Sequence, residues 1–452
     1  MRTCGELVSL LYSRHELLSI GKFNFFIKKF SFFEEVIILT STRAILHSDL
    51  NCFYASVEMM LDPRLRGKAV AVCGSTEDRH GIVLAKSELA KKAGIKTGMV
   101  NWEAQRLCKD LIIVPPQYDQ YLKYSKLTQA IYSRYTDLIE PFGMDECWLD
   151  VSGSRNACGD PMTIAESIRT TVREELGLTV SIGVSFNKIF AKLGSDMKKP
   201  DAITEIDEAS FKEKIWGLPC SELIYCGSAT TKKLNRIGIY TIGQLAQTDP
   251  KFIQQLLGVN GYALWTYANG KDASRVMHRD FVSPVKSVGH GITCVADLVN
   301  EEEVWKVILS LTQDIGHRLR LHGLSARTVQ VSVRSNDLYG SQFQSKLPFR
   351  TQLPSEIATA AFHTFKANYK WTCPVRAVSV RAIDLVSVHE SEQLSLFIDN
   401  EHRERRERLE DCVEEIRSRY GKAALTYGSL LGDLKMPIDG RDKVKMPSQM
   451  YH

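Results

Sequence analysis

Two adjacent carboxylates, Asp145 and Glu146, stand inside an otherwise apolar stretch formed by residues 141–150. Burying a carboxylate is unfavourable unless a positive charge compensates it. A divalent metal ion is the usual compensating charge for grouped carboxylates, and oxygen ligands suit Mg²⁺. The stretch therefore predicts a metal site beside a buried strand. The alternative is a hairpin turn that leaves both acids in water.

A third carboxylate, Asp49, ends a separate apolar run that begins at Ala44. Each of the three acids thus stands next to a strand-like hydrophobic segment. Three carboxylates on neighbouring strands can hold two metal ions a few ångströms apart, which is the arrangement for in-line phosphoryl or nucleotidyl transfer. The residue types and their neighbours predict a two-metal transferase site.

The motifs around these acids are similar to those of one known family. Residues 49–58 read Asp-x-x-x-Phe-Tyr-Ala-Ser-Val-Glu, and residues 145–151 read Asp-Glu-Cys-Trp-Leu-Asp-Val. In this order the two motifs resemble the Y-family DNA polymerases of the bacterial DinB/UmuC type, which are translesion enzymes. The resemblance covers residues 43–434. The form of the second motif and the charged C-terminal segment resemble the group of Gram-positive bacteria and their mobile elements, including the UvrX-like proteins.

The resemblance implies a multidomain α+β fold shaped like a right hand. Its palm would be an antiparallel sheet with helices, its fingers small, its thumb helical and its little finger a β-α-β-β-α-β module. The implied regions are the palm (43–52 and 119–207), the fingers (53–118), the thumb (208–282), a linker (283–288), the little finger (289–388) and a C-terminal tail (389–452).

Residues 1–42 precede the first strand of this resemblance. They are rich in phenylalanine, but charged residues interrupt every apolar run before it reaches the roughly 18 residues that span a membrane. They also lack the order of charge, apolar core and small residues that marks a signal peptide. We expect an extension that is poorly ordered or that results from a misplaced start codon.

By resemblance, the reaction is template-directed addition of deoxynucleoside triphosphates to a primer 3′-end, with two Mg²⁺ ions per active site. Asp49 and Asp145 are expected to bridge both ions. Glu146 is expected to bind the ion nearest the primer, and the backbone carbonyl of Leu50 to add a further ligand. No further acidic motif indicates a proofreading exonuclease, so low fidelity and lesion bypass are implied by the resemblance.

The aromatic pair that follows Asp49 has a distinct expected role. Tyr54 stands at the steric-gate position of the family, where its ring would fill the volume that a ribose 2′-hydroxyl needs. Phe53 would pack beneath the incoming nucleotide. The alternative for both residues, and especially for Phe53, is a core aromatic at the start of a helix.

Two lysines are expected to bind the triphosphate of the incoming nucleotide, because the lysine ammonium is a compact point charge. The resemblance identifies Lys199, in a Ser-Asp-Met-x-Lys-Pro motif, and Lys91. Residues 87–91 depart from the DinB-like pattern Asn-Tyr-x-Ala-Arg, since Glu88 replaces the tyrosine and adds a negative charge. The lysine-rich residues 187–200 have a solvated basic helix as their alternative.

A glycine turn in the predicted thumb contains Gly227, Ser228 and Thr230. Backbone N–H groups of such a turn between two short helices can bind a DNA phosphate. The segment resembles the helix–hairpin–helix of the family, although its usual Gly-Val-Gly is Tyr225-Cys226-Gly227 here. A plain helical connector is the alternative.

Residues 328–334 alternate in character, which predicts a strand with one buried face. Val329, Val331 and Val333 would face the core, and the polar face would include Arg334. Residues 283–388 contain 12 Lys or Arg and 8 Asp or Glu, in a chain of net charge +5. A basic sheet face in the little finger would contact DNA phosphates, and its binding would be sensitive to salt.

The pentapeptide Gln393, Leu394, Ser395, Leu396 and Phe397 follows the last predicted module. It resembles the motif that binds the bacterial sliding clamp, in which the leucine and phenylalanine side chains fill a hydrophobic pocket. A buried strand end is the alternative.

The 11 cysteines are scattered without Cys-x-x-Cys spacing, which argues against a zinc site and against a disulfide framework. Reduced thiols in a cytoplasmic protein fit better, and we expect a monomer without a membrane anchor. Two competing functions remain. One is a clamp-tethered accessory protein without catalysis, although such relatives lack the carboxylates. The other is a two-metal nuclease or cyclase, which would need neither a thumb nor a clamp motif.

Overall fold

The computed structural model describes residues 43–79, 81–391 and 400–437, so the predicted N-terminal extension and the clamp-binding motif lie outside the described residues. Within them, the strands in chain order are β1 (Ile45–Leu50), β2 (Val70–Cys73), β3 (Val83–Lys86), β4 (Ile112–Val114), β5 (Ile139–Pro141), β6 (Glu146–Asp150), β7 (Val180–Ser185), β8 (Ile203–Ile206), β9 (Val288–Leu298), β10 (Leu324–Ser335), β11 (Gly340–Thr351) and β12 (Val375–Ser387).

The α-helices of the same residues, again in chain order, are α1 (Phe53–Leu61), α2 (Glu88–Lys92), α3 (Asn101–Leu107), α4 (Tyr118–Tyr132), α5 (Arg155–Cys158), α6 (Pro161–Leu176), α7 (Lys188–Met197), α8 (Phe211–Ile215), α9 (Ser228–Arg236), α10 (Ile242–Gln247), α11 (Pro250–Leu257), α12 (Val259–Ala268), α13 (Glu301–Leu321), α14 (Pro354–Asn368) and α15 (Asn400–Tyr420).

The described residues group into two compact units. The first contains residues 43–51 and 127–279, and the second contains the described parts of residues 52–126 and 280–437. The predicted palm strands and thumb helices belong to the first unit. The predicted fingers and little finger belong to the second.

The first unit is built on a five-stranded sheet of order β5-β6-β1-β7-β8. Strand β1 lies at its centre, is buried along its whole length and pairs antiparallel with β6 and β7. The sequence predicted the antiparallel pairs but missed β8, which pairs parallel to β7. A parallel pair needs a crossover connection, and α7 supplies it between the two strands.

Helix α7 packs very closely on β7 because glycines face each other at the contact. A Cβ atom added to Gly183 would lie 1.9 Å from the carbonyl oxygen of Ala191, and one added to Gly194 would lie 3.1 Å from the Cα atom of Gly183. The absence of side chains at these two positions therefore sets the distance between helix and sheet. It brings the side chains of α7 next to the central strand.

The rest of the first unit is helical. Buried side chains from α8 to α12 form one core, which includes Leu234, Ile242 and Leu264. Helix α10 begins with a capping box, in which Thr241 accepts from the backbone of Gln244 and the side chain of Gln244 accepts from the backbone of Thr241.

The second unit contains two sheets. A three-stranded sheet of order β3-β2-β4 packs with α1, α2 and α3, and a four-stranded antiparallel sheet has the order β11-β10-β12-β9. Helices α13 and α14 cover one face of the larger sheet, which confirms the predicted β-α-β-β-α-β order. The predicted alternation in β10 is also confirmed, since Val329, Val331 and Val333 are buried in that core.

Residues 400–437, which the sequence placed in a tail, pack on the same module. The side chains of Leu430, Leu434 and Met436 belong to its hydrophobic core. On α15, Glu414 Oε2 lies 2.6 Å from Nδ1 of His317, a residue of α13. Helix α15 is rich in charged residues, and the apolar residues after it anchor this segment to the module.

None of the helices in the described part of the chain combines the length and the apolar character that crossing a membrane requires.

Candidate functional site

The three predicted carboxylates meet at one end of the central strand. Asp49, on β1, is the register partner of Glu146, the first residue of β6. Asp145 lies in the turn before β6, and its carbonyl oxygen accepts a hydrogen bond of 2.9 Å from the backbone of Leu50. The turn requires Gly143 at φ +95°, a conformation that side-chain-bearing residues rarely adopt.

Charge repulsion and burial act on all three acids. Asp49 and Glu146 lie directly opposite each other on paired strands, where like charges destabilise a sheet. Burial raises the pKa of Asp145 to about 7, and the charges of Glu146 and Asp49 act in the same direction. Burial also raises the pKa of Asp49, although the charge of Lys199 opposes this shift. These shifts show that the ionised forms of Asp49 and Asp145 are unfavourable in this site unless a positive charge lies beside them.

Lysine ammonium groups lie among the acids. Lys199 Nζ lies 2.7 Å from Asp49 Oδ2, so the structure brings this predicted triphosphate ligand to the carboxylates. A second lysine that the sequence did not single out, Lys192 on α7, has its Nζ 2.9 Å from Glu146 Oε2 and 3.4 Å from Asp49 Oδ2. Burial alone would lower the pKa of Lys192, but the surrounding carboxylates raise it, so the ammonium form persists.

A buried histidine, His47, contacts the carboxylate of Glu146. His47 Nε2 lies 3.3 Å from Glu146 Oε2, and His47 Nδ1 lies 2.8 Å from Ser195 Oγ. Burial lowers the pKa of His47. For Glu146, burial raises the pKa, but the His47 contact and the charge of Lys192 outweigh it and bring the pKa down to about 2. Glu146 is therefore ionised across the physiological range.

The donor set fits a divalent cation. Asp49, Asp145 and Glu146 offer only carboxylate oxygens, which Mg²⁺ and similar hard cations prefer. In the described part of the chain no three His, Cys, Asp or Glu side chains are placed so that they could hold a metal ion as they stand. No ammonium or guanidinium group of the described residues forms an ion pair with Asp145, whose raised pKa marks a charge that a cation would stabilise.

The predicted nucleotide-contacting aromatics belong to the second unit. Phe53 is buried in the first turn of α1, as its alternative role also predicts. The ring of Tyr54 is partly exposed and stacks on the ring of Tyr121, a residue of α4. The hydroxyl of Tyr121 donates to the carboxylate of Glu58, a buried acid of α1.

Lys91, the other predicted triphosphate ligand, is half exposed on the short helix α2. Its Nζ lies 3.8 Å from Glu88 Oε1, so the unexplained acid is its ion-pair partner. The thiol of Cys52 donates to the same Glu88 oxygen at 3.1 Å. Burial and this contact raise the pKa of the Cys52 thiol to about 12, so Cys52 is a neutral donor. Glu88 thus connects the start of α1 to the lysine.

The predicted thumb turn is present despite its missing glycine. Tyr225 itself adopts φ +68°, the left-handed conformation that glycine usually supplies. Gly227 is the N-cap residue of α9 and offers no side chain to the first turn, so the amides near Ser228 and Thr230 keep the geometry of an anion-binding helix start. The hairpin continues through Gly238 to α10.

Arg334 lies on the helix-free face of the four-stranded sheet, as predicted. It helps to line a groove of about 700 Å³ whose other walls include Ser332, Gln342 and Ser379. By register, Arg381 and Lys346 lie on the same face, and both are exposed. These two residues were missed from the sequence, although the alternation that identified Arg334 applies equally to their strands.

Lys192, His47 and Tyr121 were also missed from the sequence, and these residues differ in how much signal the sequence carried for them. Lys192 carried a signal, since it belongs to the same lysine-rich stretch, residues 187–200, as Lys199. His47 and Tyr121 carried none, because a histidine in an apolar strand and a tyrosine in a helix are ordinary core residues.

Comparison with known proteins agrees with this geometry. The sequence profile of the impB/mucB/samB family matches residues 48–196, and the profile of the C-terminal domain of the same family matches residues 285–396. Over 391 residues the chain is 50% identical to a protein named DNA polymerase IV from Acetivibrio thermocellus, covering 86% of this chain and 98% of that protein. It is 35% identical over 396 residues to DNA polymerase IV 1 of Bacillus subtilis, covering 86% and 94%.

Among solved structures, the chain is similar to the Y-family DNA polymerase chimera Dbh-Dpo4(243-245)-Dbh. The TM-score is 0.67 at 21% sequence identity, and the match covers 76% of this chain and 99% of the chimera. At this level of identity the similarity concerns the fold, and it confirms the multidomain α+β fold class that the motifs predicted.

Proposed function

Because this chain belongs to the impB/mucB/samB family of bacterial DinB-type Y-family polymerases, and is thus a DNA-directed DNA polymerase with a translesion role, we propose that it works at low fidelity by a two-metal mechanism and is tethered to the sliding clamp. The observation that carries this proposal is the meeting of Asp49, Asp145 and Glu146 at one end of the central strand.

The three carboxylates are the proposed metal ligands, and the ions are proposed to be two Mg²⁺. Asp49, Asp145, Glu146 and the backbone carbonyl of Leu50 would hold the ions. When bound, such ions would lower the pKa of the primer 3′-hydroxyl and neutralise the triphosphate and the leaving pyrophosphate. The burial of Asp49 and the low pKa of Glu146 support this assignment.

Contacts to the incoming nucleotide are proposed for four residues. Lys199 and Lys91 would bind the triphosphate, and in this structure the ammonium group of Lys199 pairs with Asp49 and that of Lys91 with Glu88. Tyr54 would exclude the ribose 2′-hydroxyl, and its stacked ring supports a rigid gate. Phe53 would support the nucleotide from below.

Two surfaces are proposed to bind primer–template DNA. The start of α9 at Gly227, Ser228 and Thr230 would bind a backbone phosphate through its amides. The groove beside Arg334 would follow the duplex, with Arg381 adding positive charge. Binding through these phosphate contacts should weaken steeply as salt is raised.

The clamp contact is proposed for residues 393–397, which lie outside the described residues. All cysteines of the described residues are free thiols, which supports a protein of the reducing cytoplasm. A monomer is also proposed.

Primer extension tests the proposal. Purified full-length protein would receive Mg²⁺, four dNTPs and either an undamaged or an abasic template, alongside the double variant Asp145→Ala/Glu146→Ala. The matched control is Asp150→Asn, at the other end of the same strand. We expect extension by the wild type and the control and none by the double variant. Absence of extension by the wild type, even with clamp supplied, would favour the accessory-protein function.

A further inference from the structure

In this structure the counterions of the acids are lysine side chains that come from one helical segment. Lys192 lies on α7, and Lys199 follows shortly after the helix. Their ammonium groups and the carboxylates of Glu146 and Asp49 alternate in space, in the order Glu146, Lys192, Asp49 and Lys199. Each lysine is therefore close enough to the acids to neutralise part of their charge.

The same two lysines share a second partner on the outer side. Asp196 Oδ2 lies 3.1 Å from Lys192 Nζ, and Asp196 Oδ1 lies 2.9 Å from Lys199 Nζ. Lys192 lies four residues before Asp196 and therefore on the same face of α7, whereas Lys199 lies beyond the end of that helix and reaches Asp196 from the segment after it. The side chain of Asp196 is 41% exposed, whereas that of Lys192 is only 13% exposed. Asp196 thus forms ion pairs with both ammonium groups at the exposed rim of the site.

We propose that Lys192 is a positioning residue that competes with a divalent cation for the oxygens of Asp49 and Glu146, and that Asp196 holds Lys192 when the cation wins. This inference rests on the proposed cation site. Lys192 Nζ contacts Glu146 Oε2 and Asp49 Oδ2, two oxygens of the proposed donor set, and two positive groups cannot share them without strong repulsion.

Without a cation, Lys192 stabilises the two acids that it contacts. Asp49 and Glu146 face each other across paired strands, and unpaired they would repel and separate. Lys192 holds them at a fixed separation while costing part of the affinity for the cation. Replacement of Lys192 by an uncharged side chain of similar length should therefore raise cation affinity and lower the stability of the protein in EDTA.

Helix α7 offers a matched control for this replacement. Lys188 is also a mostly buried lysine, and its Nζ lies 2.7 Å from Glu140 Oε1 and 4.4 Å from the ring centre of Trp148. Its carboxylate partner is therefore Glu140, which is not one of the three acids of the proposed cation site. Lys188→Met thus removes the same charge from the same helix without removing a competitor for the cation.

The experiment is a Mn²⁺ titration of full-length protein without DNA or nucleotide, in which free Mn²⁺ is measured by electron paramagnetic resonance. Wild type, Lys192→Met, Lys192→Arg and Lys188→Met would be compared, and unfolding in EDTA would be followed in parallel. We expect the Kd for Mn²⁺ to fall about tenfold in Lys192→Met, in line with the loss of one partly buried charge contact. Lys192→Arg and Lys188→Met should stay within about twofold of wild type.

An unchanged or higher Kd in Lys192→Met would overturn the inference, and so would an equal fall in Lys188→Met. If Lys192→Met does not fold, Lys199→Met provides the same test, because Lys199 is more exposed and contacts the same Asp49 oxygen. Asp145→Asn separates the two proposals. If it leaves Mn²⁺ binding unchanged, the cation site itself is wrong, whereas weakened binding in Asp145→Asn with no effect of Lys192→Met refutes only the competition.

Discussion

The ring of Tyr54 lies flat on the ring of Tyr121, with centroids 4.1 Å apart and planes within 7° of parallel. Tyr121 is fully buried, and its hydroxyl donates to Glu58 Oε1 at 2.5 Å. The side-chain amide of Gln117 donates to the other oxygen of Glu58 at 2.7 Å. The buried, hydrogen-bonded pair of Tyr121 and Glu58 therefore fixes the surface on which the ring of Tyr54 stacks, and it is to Tyr54 that we assign sugar discrimination.

Loss of this stack should loosen sugar selection. Tyr121→Leu removes the platform beneath Tyr54, so we expect the ratio of kcat/KM for dNTP over rNTP to fall by about two- to tenfold, as one aromatic pair contributes roughly 0.5–1.5 kcal/mol. Single-nucleotide insertion kinetics would measure it. Tyr118→Leu is the control, because Tyr118 meets Tyr54 only edge-on at 6.2 Å. An unaltered ratio in Tyr121→Leu would show that the stack does not position the gate.

The stability of the protein should depend on the charge of Asp145. Its pKa is about 7 in the folded protein, and an unfolded aspartate titrates near about 3.9. The unfolded chain thus releases this proton first as the pH rises, so Asp145 costs no stability below about pH 4 and its full cost is reached above about pH 7. Asp145→Asn should stabilise the protein at pH 8 in EDTA by on the order of 2–4 kcal/mol, and by less at pH 5. Urea unfolding at both pH values would reveal it, and an equal effect at both would show that the charge of the buried carboxylate is not the cause.

Glu88 should restrain Lys91. Because Glu88 Oε1 lies 3.8 Å from Lys91 Nζ, Glu88→Gln should release the ammonium group toward a bound triphosphate. Both side chains are partly exposed, so the gain should be modest. We expect the KM for dNTP to fall about two- to fivefold with kcat little changed, in steady-state insertion assays. A rise in KM would indicate that Glu88 positions Lys91 for binding instead of restraining it.

Close packing of α7 on β7 should be sensitive to a single methyl group. Gly183→Ala places a Cβ 1.9 Å from the carbonyl oxygen of Ala191, which the helix can relieve only by moving away from the sheet. We expect a loss of about 2–4 kcal/mol in the free energy of unfolding, measured with urea. Gly153→Ala is the control, since its Cβ would meet nothing within 4 Å.

The segment that follows α15 should stabilise the four-stranded module. Leu430 is 7% exposed and lies in its core, whereas the adjacent Leu431 is 69% exposed. Leu430→Ala should therefore lower the free energy of unfolding by about 2–4 kcal/mol, and Leu431→Ala by less than about 0.5 kcal/mol. Equal effects of the two substitutions, measured by thermal denaturation, would place residues 428–437 outside the cooperative unit.

The sequence by itself determined the features that depend on neighbouring residues. The apolar run that ends in Asp49 and the apolar stretch that contains Asp145 and Glu146 predicted acids beside strands, and β1 and β6 confirm this. The alternation from Thr328 to Arg334 predicted both faces of β10. These patterns are local, because side-chain direction alternates along any strand.

Only the tertiary structure decided which charges surround the acids. Lys192 is far from Asp49 in the chain, and it comes within 3.4 Å only because Gly183 and Gly194 let α7 approach the sheet. The pKa of Asp145 near 7 likewise depends on burial and on Asp49 from another strand, besides its sequence neighbour Glu146. Such distances depend on how elements pack, and no local pattern of residues encodes them.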